Sequence, residues 1–321
     1  ARFPARTATG HARNAVALMQ VGRMDEARMA ARNAWIGGTL SPADEARLLS
    51  LFGSTLTPAD HDQRADMLLW GNDVNGAMRM LAYVSPARRP VYQARIAFRR
   101  KAPEAPALMQ MAEANGASDA GFVADKAIWL RDTGNWVAAR QYLANRNTLA
   151  YRPANAEKFY EALLGQARAA ANDSQWSFAY GIASKIDDAV PPGIDVSDMA
   201  IGVRDDYTSL AWLAGTTAFY NLNRPTDAVT MFRRYADAAK SPQTRSKGYY
   251  WAGRAALVSG DTASANSYFG QASVYPDQFY GQLALERLGR PIPAPATVER
   301  PVPISAAERA AFDARSVVRA V

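Results

Sequence analysis

Two stretches of the chain share one pattern: WLAGTTAFYNLNRPTDAVTMFRRYADA at 212–238 and WAGRAALVSGDTASANSYFGQA at 251–272. Each stretch begins with an apolar segment that carries a glycine and then passes through a short polar turn. It continues with an alanine that is followed four residues later by a phenylalanine, Phe232 or Phe269. Because a small residue lets two helices approach while a large one fills the groove beside it, this pattern predicts a helical hairpin.

Weaker copies of the hairpin run through the rest of the chain. With the two quoted hairpins included, the turns are predicted near residues 22, 72, 134, 173, 223 and 260. Apolar residues between the turns recur at i, i+3, i+4 and i+7 and no segment sustains a period of two, so we expect an all-α fold. The turn spacing is too irregular for a strict repeat of about 34 residues. We therefore expect an irregular right-handed superhelix of helical hairpins, with tetratricopeptide-like units.

Several helix starts are marked by a serine or threonine before proline. These dipeptides begin at residues 41, 57, 85 and 241. The hydroxyl can accept a hydrogen bond from a free N–H group, and proline suits the first helical turn. A capping box of Ser305 and Glu308 predicts one more helix after the proline-rich stretch 290–305. The expected organisation is a superhelical domain over 1–289 and, over 290–321, a connection with the start of a linker domain.

Composition excludes several kinds of site. The 321 residues contain no cysteine, which removes disulfides, thiolate metal sites and a cysteine nucleophile. The histidines, His11 and His61, have no convincing set of neighbouring ligands, so no metal is expected. No glycine-rich phosphate loop follows a strand, and no cofactor is predicted. No apolar run reaches the roughly 18–20 residues that a membrane-spanning helix needs.

The charge is basic, with a formal net value of +7. An anionic partner is plausible on that ground, but the arginines are scattered among acids, so nucleic acid is not expected. The only dense basic run is ARRPVYQARIAFRRK at 87–101, which we interpret as a solvated helix face. The seven tryptophans are interpreted as core residues of the hairpins.

Paired carboxylates, the requirement of a glycosidase, occur at four places. They are Asp60 with Asp62, Glu157 with Glu161, Asp187 with Asp188, and Asp205 with Asp206. Each pair is expected in a polar turn or on an exposed helix face, where nothing perturbs a carboxylate. No catalytic residue is assigned to this chain.

The stretch from 241 to 289 resembles the soluble lytic transglycosylases of Gram-negative bacteria. The likeness is carried by YWAGRA at 250–255, by Gly260 with Asp261, and by FYGQLA at 279–284 before a closing Leu-Gly. A looser, collinear likeness covers most of the chain upstream. The resemblance implies a periplasmic enzyme, matured by removal of a signal peptide. It cleaves peptidoglycan between N-acetylmuramic acid and N-acetylglucosamine without water, leaving 1,6-anhydromuramic ends.

In that family a glutamate in a Glu-Ser motif of a lysozyme-like domain is the acid/base. This chain contains no Glu-Ser dipeptide, so it is expected to be inactive alone and to correspond to the superhelical region. On the same resemblance, Tyr280 and Gln282 become candidates for contact with the catalytic domain, whereas Phe279 and Leu283 are expected in the core. Peptidoglycan is the expected partner, and proteins could bind a concave face.

Two other functions remain open at this point. The chain could be a free-standing helical-repeat adaptor that binds protein partners, as its tandem hairpins permit. It could also be an all-helical glycosidase with carboxylates of its own. The two alternatives differ in what they require, since only the glycosidase needs a pair of perturbed acids.

Overall fold

The computed structural model describes residues 4–294 and 303–320, and this part of the chain is all-α, as predicted. It contains no strand; a single isolated bridge joins Asp119 and Tyr151. The α-helices are α1 (Ala8–Gln20), α2 (Met24–Ile36), α3 (Pro42–Phe52), α4 (Pro58–Trp70), α5 (Val74–Met80), α6 (Arg89–Arg100), α7 (Ala105–Gly116), α8 (Ala120–Asp132), α9 (Trp136–Ala144), α10 (Ala156–Asn172), α11 (Trp176–Ala183), α12 (Ile201–Thr216), α13 (Pro225–Asp237), α14 (Pro242–Val258), α15 (Thr262–Ser273), α16 (Phe279–Arg287) and α17 (Ala306–Asp313).

Six helix pairs are joined by a turn of the same kind, within one residue of the predicted places. In each turn one residue has a left-handed backbone: Gly22, Asn72, Gly134, Ser174, Asn223 and Gly260. The residue after it is the N-cap of the next helix, and its N–H group bonds back into the preceding helix, as from Asp261 to the Ala256 carbonyl at 2.9 Å. This C-terminal cap satisfies helix-end carbonyls and reverses the chain within three residues.

The two hairpins that share the quoted pattern pack as the pattern predicts. A Cβ atom on Gly215 would lie 2.7 Å from the ring of Phe232, and one on Gly253 would lie 2.7 Å from the ring of Phe269. Both phenylalanines are buried. Glycine is therefore required in α12 and α14 because an aromatic ring of the second helix occupies the space of a side chain.

Successive helix pairs also contact one another. The α8/α9 pair packs on the α10/α11 pair, α10 and α11 both contact α12, and α13 contacts α14. The buried side chains accordingly form several adjoining clusters instead of a single centre. This arrangement of contacts between sequence neighbours is typical of helical-repeat proteins.

Three of the four predicted Ser/Thr-Pro helix starts are confirmed, and the one at residue 85 is wrong. Ser41, Thr57 and Ser241 cap α3, α4 and α14 with proline in the first turn. Ser85 instead donates from its backbone and its hydroxyl to Asp62, at 3.0 and 2.7 Å. The helix begins four residues later, because a start at residue 86 would place Pro90 beyond the first turn, where its ring clashes.

The basic run at 87–101 is not the solvated face that its composition suggests. Arg95 is completely buried, and its guanidinium pairs with Asp66 and with Asp125. Arg88 pairs with Asp119 at 2.6 Å, and Arg99 pairs with Asp125 at 2.7 Å. Asp66 belongs to α4 and Asp125 to α8, and Asp119 is the N-cap residue of α8. This side of α6 therefore forms ion pairs with two other helices.

The region after α16 is described only in part. Residues 291–294 are not helical, and half of the proline-rich stretch 290–305, residues 295–302, lies outside the described residues. The capping box of Ser305 and Glu308 is confirmed at the start of α17, whose residues are all exposed. The domain boundary placed at residue 289 stays a prediction.

Candidate functional surface

The two residues predicted to contact another domain lie at the start of α16. The ring of Tyr280 is half-buried, with its centre 5.5 Å from that of Tyr250 in α14. The side-chain amide of Gln282 donates to the Pro276 carbonyl at 3.1 Å, which ties the helix to the turn before it. Tyr280 thus remains near a surface, whereas Gln282 already has a partner within its own segment.

Phe279 is not in the core, contrary to the expectation. Its side chain is 67% exposed, and it contacts the edge of Tyr280 with the ring centres 5.1 Å apart. The buried face of α16 consists of Gly281, Ala284 and Leu285, and Leu283 packs half-buried beside them. As the first residue of a nine-residue helix, Phe279 precedes that face and points to solvent.

Exposed and half-buried aromatic side chains from α12 to α16 form a surface whose rings are linked by contacts, in part through the buried Tyr250. We call this surface the aromatic face; it consists of Trp212, Tyr220, Trp251, Phe279 and Tyr280 together with Lys247 and Arg254. The Trp251 ring lies 6.4 Å from Trp212 and 5.9 Å from Tyr220. Through Tyr250, which touches both Trp251 and Tyr280, the row of rings reaches Phe279.

A single helix supplies the centre of the aromatic face. Lys247, Trp251 and Arg254 stand at i, i+4 and i+7 of α14, so they share one side of that helix. The Lys247 Nζ lies 3.5 Å from the ring centre of Trp212, and the Arg254 guanidinium lies 5.2 Å from that of Trp251. Both positions are within range of a cation–π interaction.

The two cations of the aromatic face are not neutralised within the described part of the chain. Neither Lys247 nor Arg254 forms an ion pair there. Burial lowers the pKa of Lys247, which means that the charged ammonium is poorly solvated. The aromatic face therefore offers flat rings beside positive charge that lacks a carboxylate.

A widened turn of helix positions Tyr220. Residues Thr217–Asn221 continue α12 as a π-helical turn, in which the Leu222 N–H bonds to the Thr217 carbonyl at 3.1 Å. Tyr220 on this turn is 61% exposed. Insertions of this type occur often at functional sites, because they present a side chain that a regular helix would not.

Such a surface has the chemistry of a binding site. Tyrosine and tryptophan rings offer an apolar face to the C–H groups of a sugar or to another apolar surface. Uncompensated ammonium and guanidinium groups attract carboxylates. The face contains no carboxylate that could serve as a general acid.

In two of the four predicted acid pairs, both carboxylates form hydrogen bonds or ion pairs within the protein. Asp60 completes the capping box with Thr57 and pairs with Arg32, and Asp62 accepts from Ser85. The Tyr207 hydroxyl donates to Asp187 at 2.7 Å, and Arg146 pairs with Asp188 at 2.7 Å. These carboxylates hold helices and loops together.

The other two pairs approach one another between α10 and α12. Burial and the neighbouring charges of Glu161 and Glu157 raise the pKa of Asp206. Lys158 donates to Glu161 at 2.7 Å. A cavity of about 360 Å³ between α8 and α10 is lined by Glu161 and Lys158, but Glu157, Asp205 and Asp206 do not line it. The cavity therefore does not hold a pair of these acids, and no catalytic residue is assigned from the group.

Sequence reasoning missed the two cations and the two tryptophans of the aromatic face. Trp251 and Trp212 were expected in the core, yet both are half-buried at the surface, whereas Trp35 is fully buried. Trp136 is 45% exposed beneath the guanidinium of Arg140. The spacing of Lys247, Trp251 and Arg254 was the one signal in the sequence that could have identified the face.

Metal sites, membrane-spanning helices and known protein families bear on other functions. In the parts of the chain that the structure covers, no cluster of three or more His, Asp or Glu could hold a metal ion. The same parts contain no helix with the length and apolarity needed to cross a bilayer. No protein-family model matches the chain, and the curated proteins contain no significant match to it.

Proposed function

We propose that this chain is the non-catalytic superhelical part of a periplasmic lytic transglycosylase, the whole enzyme cleaving peptidoglycan to 1,6-anhydromuropeptides. In this proposal the helix pairs continue as an irregular right-handed superhelix. The segment would act as a scaffold that holds the enzyme on the cell wall. The support is the resemblance of residues 241–289 to that family together with the aromatic face, to which the same stretch contributes most of the residues.

The observation that carries the proposal is the composition of the aromatic face. Peptidoglycan combines sugar rings with carboxylate-bearing lactyl and peptide groups, so it matches both flat aromatic rings and uncompensated cations. Trp251 at the centre contacts five aromatic side chains, which fixes its ring in place: Trp212, Phe219, Tyr220, Phe232 and Tyr250. A preorganised ring loses little conformational freedom when a ligand binds.

The test is sedimentation of the protein with isolated cell-wall sacculi. We expect salt-sensitive binding that Trp251→Ala and Lys247→Gln each weaken by about fivefold or more, the range of an interface hot spot. Trp136→Ala and Lys158→Gln are matched controls, because they remove an exposed tryptophan and an exposed lysine elsewhere. Equal binding by all four variants, or no binding by the wild type, would contradict the proposal.

A second candidate is a helical-repeat adaptor for protein partners. The exposed rings of Tyr220 and Phe279 favour it, since aromatic residues are enriched in protein interfaces. In that case the wild type would fail to sediment with sacculi. Any release of anhydromuropeptides by this chain alone would instead support an enzyme with its own acids.

A further inference from the structure

A second candidate site lies away from the aromatic face, where two cavities adjoin at Arg146. The first has a volume of about 470 Å³ and lies between α7, α8 and α9. The second, of about 290 Å³, lies between the loops that follow α9 and α11. We call the two together the Arg146 groove; its polar lining includes Lys126, Gln141, Tyr142, Asn145, Arg146 and Lys185.

Arg146 fixes the junction of the two cavities. Its side chain is 1% exposed, and it holds both oxygens of Asp188 at 2.7 and 2.8 Å. The same guanidinium donates to the Lys185 carbonyl, while the Lys185 ammonium donates to the Arg146 carbonyl at 2.9 Å. The two loops are thereby joined in both directions, so the groove is preformed.

The ion pairs of the groove leave one positive charge uncompensated. Lys126 pairs with Glu113 at 2.8 Å, Arg146 with Asp188, and Arg234 with Asp187. Lys185 forms no ion pair within residues 4–294 and 303–320. Burial and the charge of Arg146 lower the pKa of its ammonium. A ligand carboxylate at the second cavity would supply the missing negative charge.

The rest of the lining suits a peptide backbone. The side-chain amides of Gln141, Asn145 and Asn147 are exposed along the first cavity and can both donate and accept. The hydroxyl of Tyr142 in the same wall is buried without a hydrogen-bond partner in the described structure. Buried polar atoms of this kind are usually satisfied by a ligand or an ordered water.

We propose that the Arg146 groove binds a short acidic peptide in extended form, with a peptide carboxylate at Lys185 and peptide groups along the amide side chains. The length of two adjoining cavities favours an extended ligand over a single small anion. This inference does not depend on the proposed function, because the groove and the aromatic face share no residue.

Fluorescence anisotropy with two labelled hexapeptides tests the proposal, one alternating Ala and Glu and the other Ala and Gln. We expect saturable binding of the Glu peptide alone and a loss of about tenfold or more in Lys185→Gln, as for a charged hydrogen bond. Asn145→Ala should weaken binding less. Lys158→Gln, which changes an exposed lysine on α10, should bind as the wild type does.

Thermal unfolding of each variant separates loss of binding from loss of folding, and Trp251→Ala should leave peptide binding unchanged. Equal affinity for the two peptides would overturn the role of Lys185. Absence of saturable binding by the folded wild type would overturn the site itself. Either result leaves the sedimentation test of the aromatic face unaffected.

Discussion

The region around α6 and the region from α12 to α16 are held together by different forces. Around α6, buried arginines pair with carboxylates from α4 and α8, and Arg95 joins Asp66 to Asp125 with no exposure to solvent. From α12 to α16, rings fill the places of missing side chains, as Phe269 does above Gly253. The first region depends on charge and the second on shape.

The ion-paired region must keep all of its partners. A Cβ atom on Gly121 would lie 2.1 Å from the Arg95 guanidinium carbon. The guanidinium therefore occupies the space that a side chain on this residue of α8 would need. Removing one member leaves a buried ion without its counterion, which is costly, whereas replacing the whole group by apolar residues is often tolerated. The stability of the first region therefore depends on the identity of its residues, and that of the second depends on their volume.

The largest effect should follow removal of the central arginine. We expect Arg95→Ala to lower the free energy of unfolding by about 3–5 kcal/mol, since Asp66 and Asp125 then stay buried without a cation. Urea unfolding followed by circular dichroism measures it. Replacing the arginine and both acids by apolar residues together should recover part of the loss; a single mutant within about 1 kcal/mol of the wild type would contradict the comparison.

A methyl group in the second region should have the next largest effect. Gly253→Ala should cost about 1–3 kcal/mol, because the new Cβ meets the Phe269 ring. Gly270→Ala is the matched control on α15, where nothing lies within 4 Å, and it should stabilise by about 0.5–1 kcal/mol. If both changes had the same sign, close packing would not explain the glycine of α14.

A smaller effect is expected at the turns, which both regions share. Ser174 has a left-handed backbone with φ of 58°, a conformation that glycine adopts without strain. Ser174→Gly should therefore raise the free energy of unfolding, while Gly134→Ala, with φ of 88° in the equivalent turn, should lower it by about 1 kcal/mol. Thermal denaturation of the two variants decides whether the turns are equivalent.

The smallest effect is the acid sensitivity of another buried ion pair, in which Glu45 of α3 pairs with Arg64 of α4 and with Arg79 of α5. Burial alone would raise the pKa of Glu45, but hydrogen bonds and charge from Arg79 and Arg64 outweigh it, so this pKa lies below its usual value of 4.5. The stability that Glu45 contributes is therefore complete above about pH 4.5 and is lost as the pH falls through the lower folded pKa. Glu45→Gln should flatten the decline of the melting temperature between pH 6 and pH 3; an unchanged slope would assign the decline to other groups.

The fold was predictable where its causes are local. A turn residue and the cap after it are neighbours in sequence, so the turns at Gly22, Gly134 and Gly260 were found from their own segments. The role of Arg95 was not, because its partners lie 29 and 30 residues away and a basic run reads the same whether exposed or buried. Phe279 was wrongly predicted to lie in the core, because hydrophobic periodicity predicts which side of a helix is apolar but not how far along that side the neighbouring helix extends.

The candidate surface was not predicted as a whole. The resemblance made Tyr280 and Gln282 candidates for contact with another domain, which stays a prediction, and Tyr280 is one member of the aromatic face. The cations of the aromatic face were not predicted, because a lysine is recognised as unpaired only when the three-dimensional structure shows that no carboxylate lies beside it. The Arg146 groove could not be predicted from the sequence, because its second cavity forms between loops that follow two different helices.

The six repeated turns also have a consequence for how the chain reaches its structure. Each one closes through contacts between residues only a few positions apart, so a hairpin loses little loop entropy when it forms. Chains dominated by such local contacts fold quickly, and any hairpin can serve as the first to form. Amide exchange would then proceed hairpin by hairpin, with the protein opening in separate steps along its length instead of in one transition.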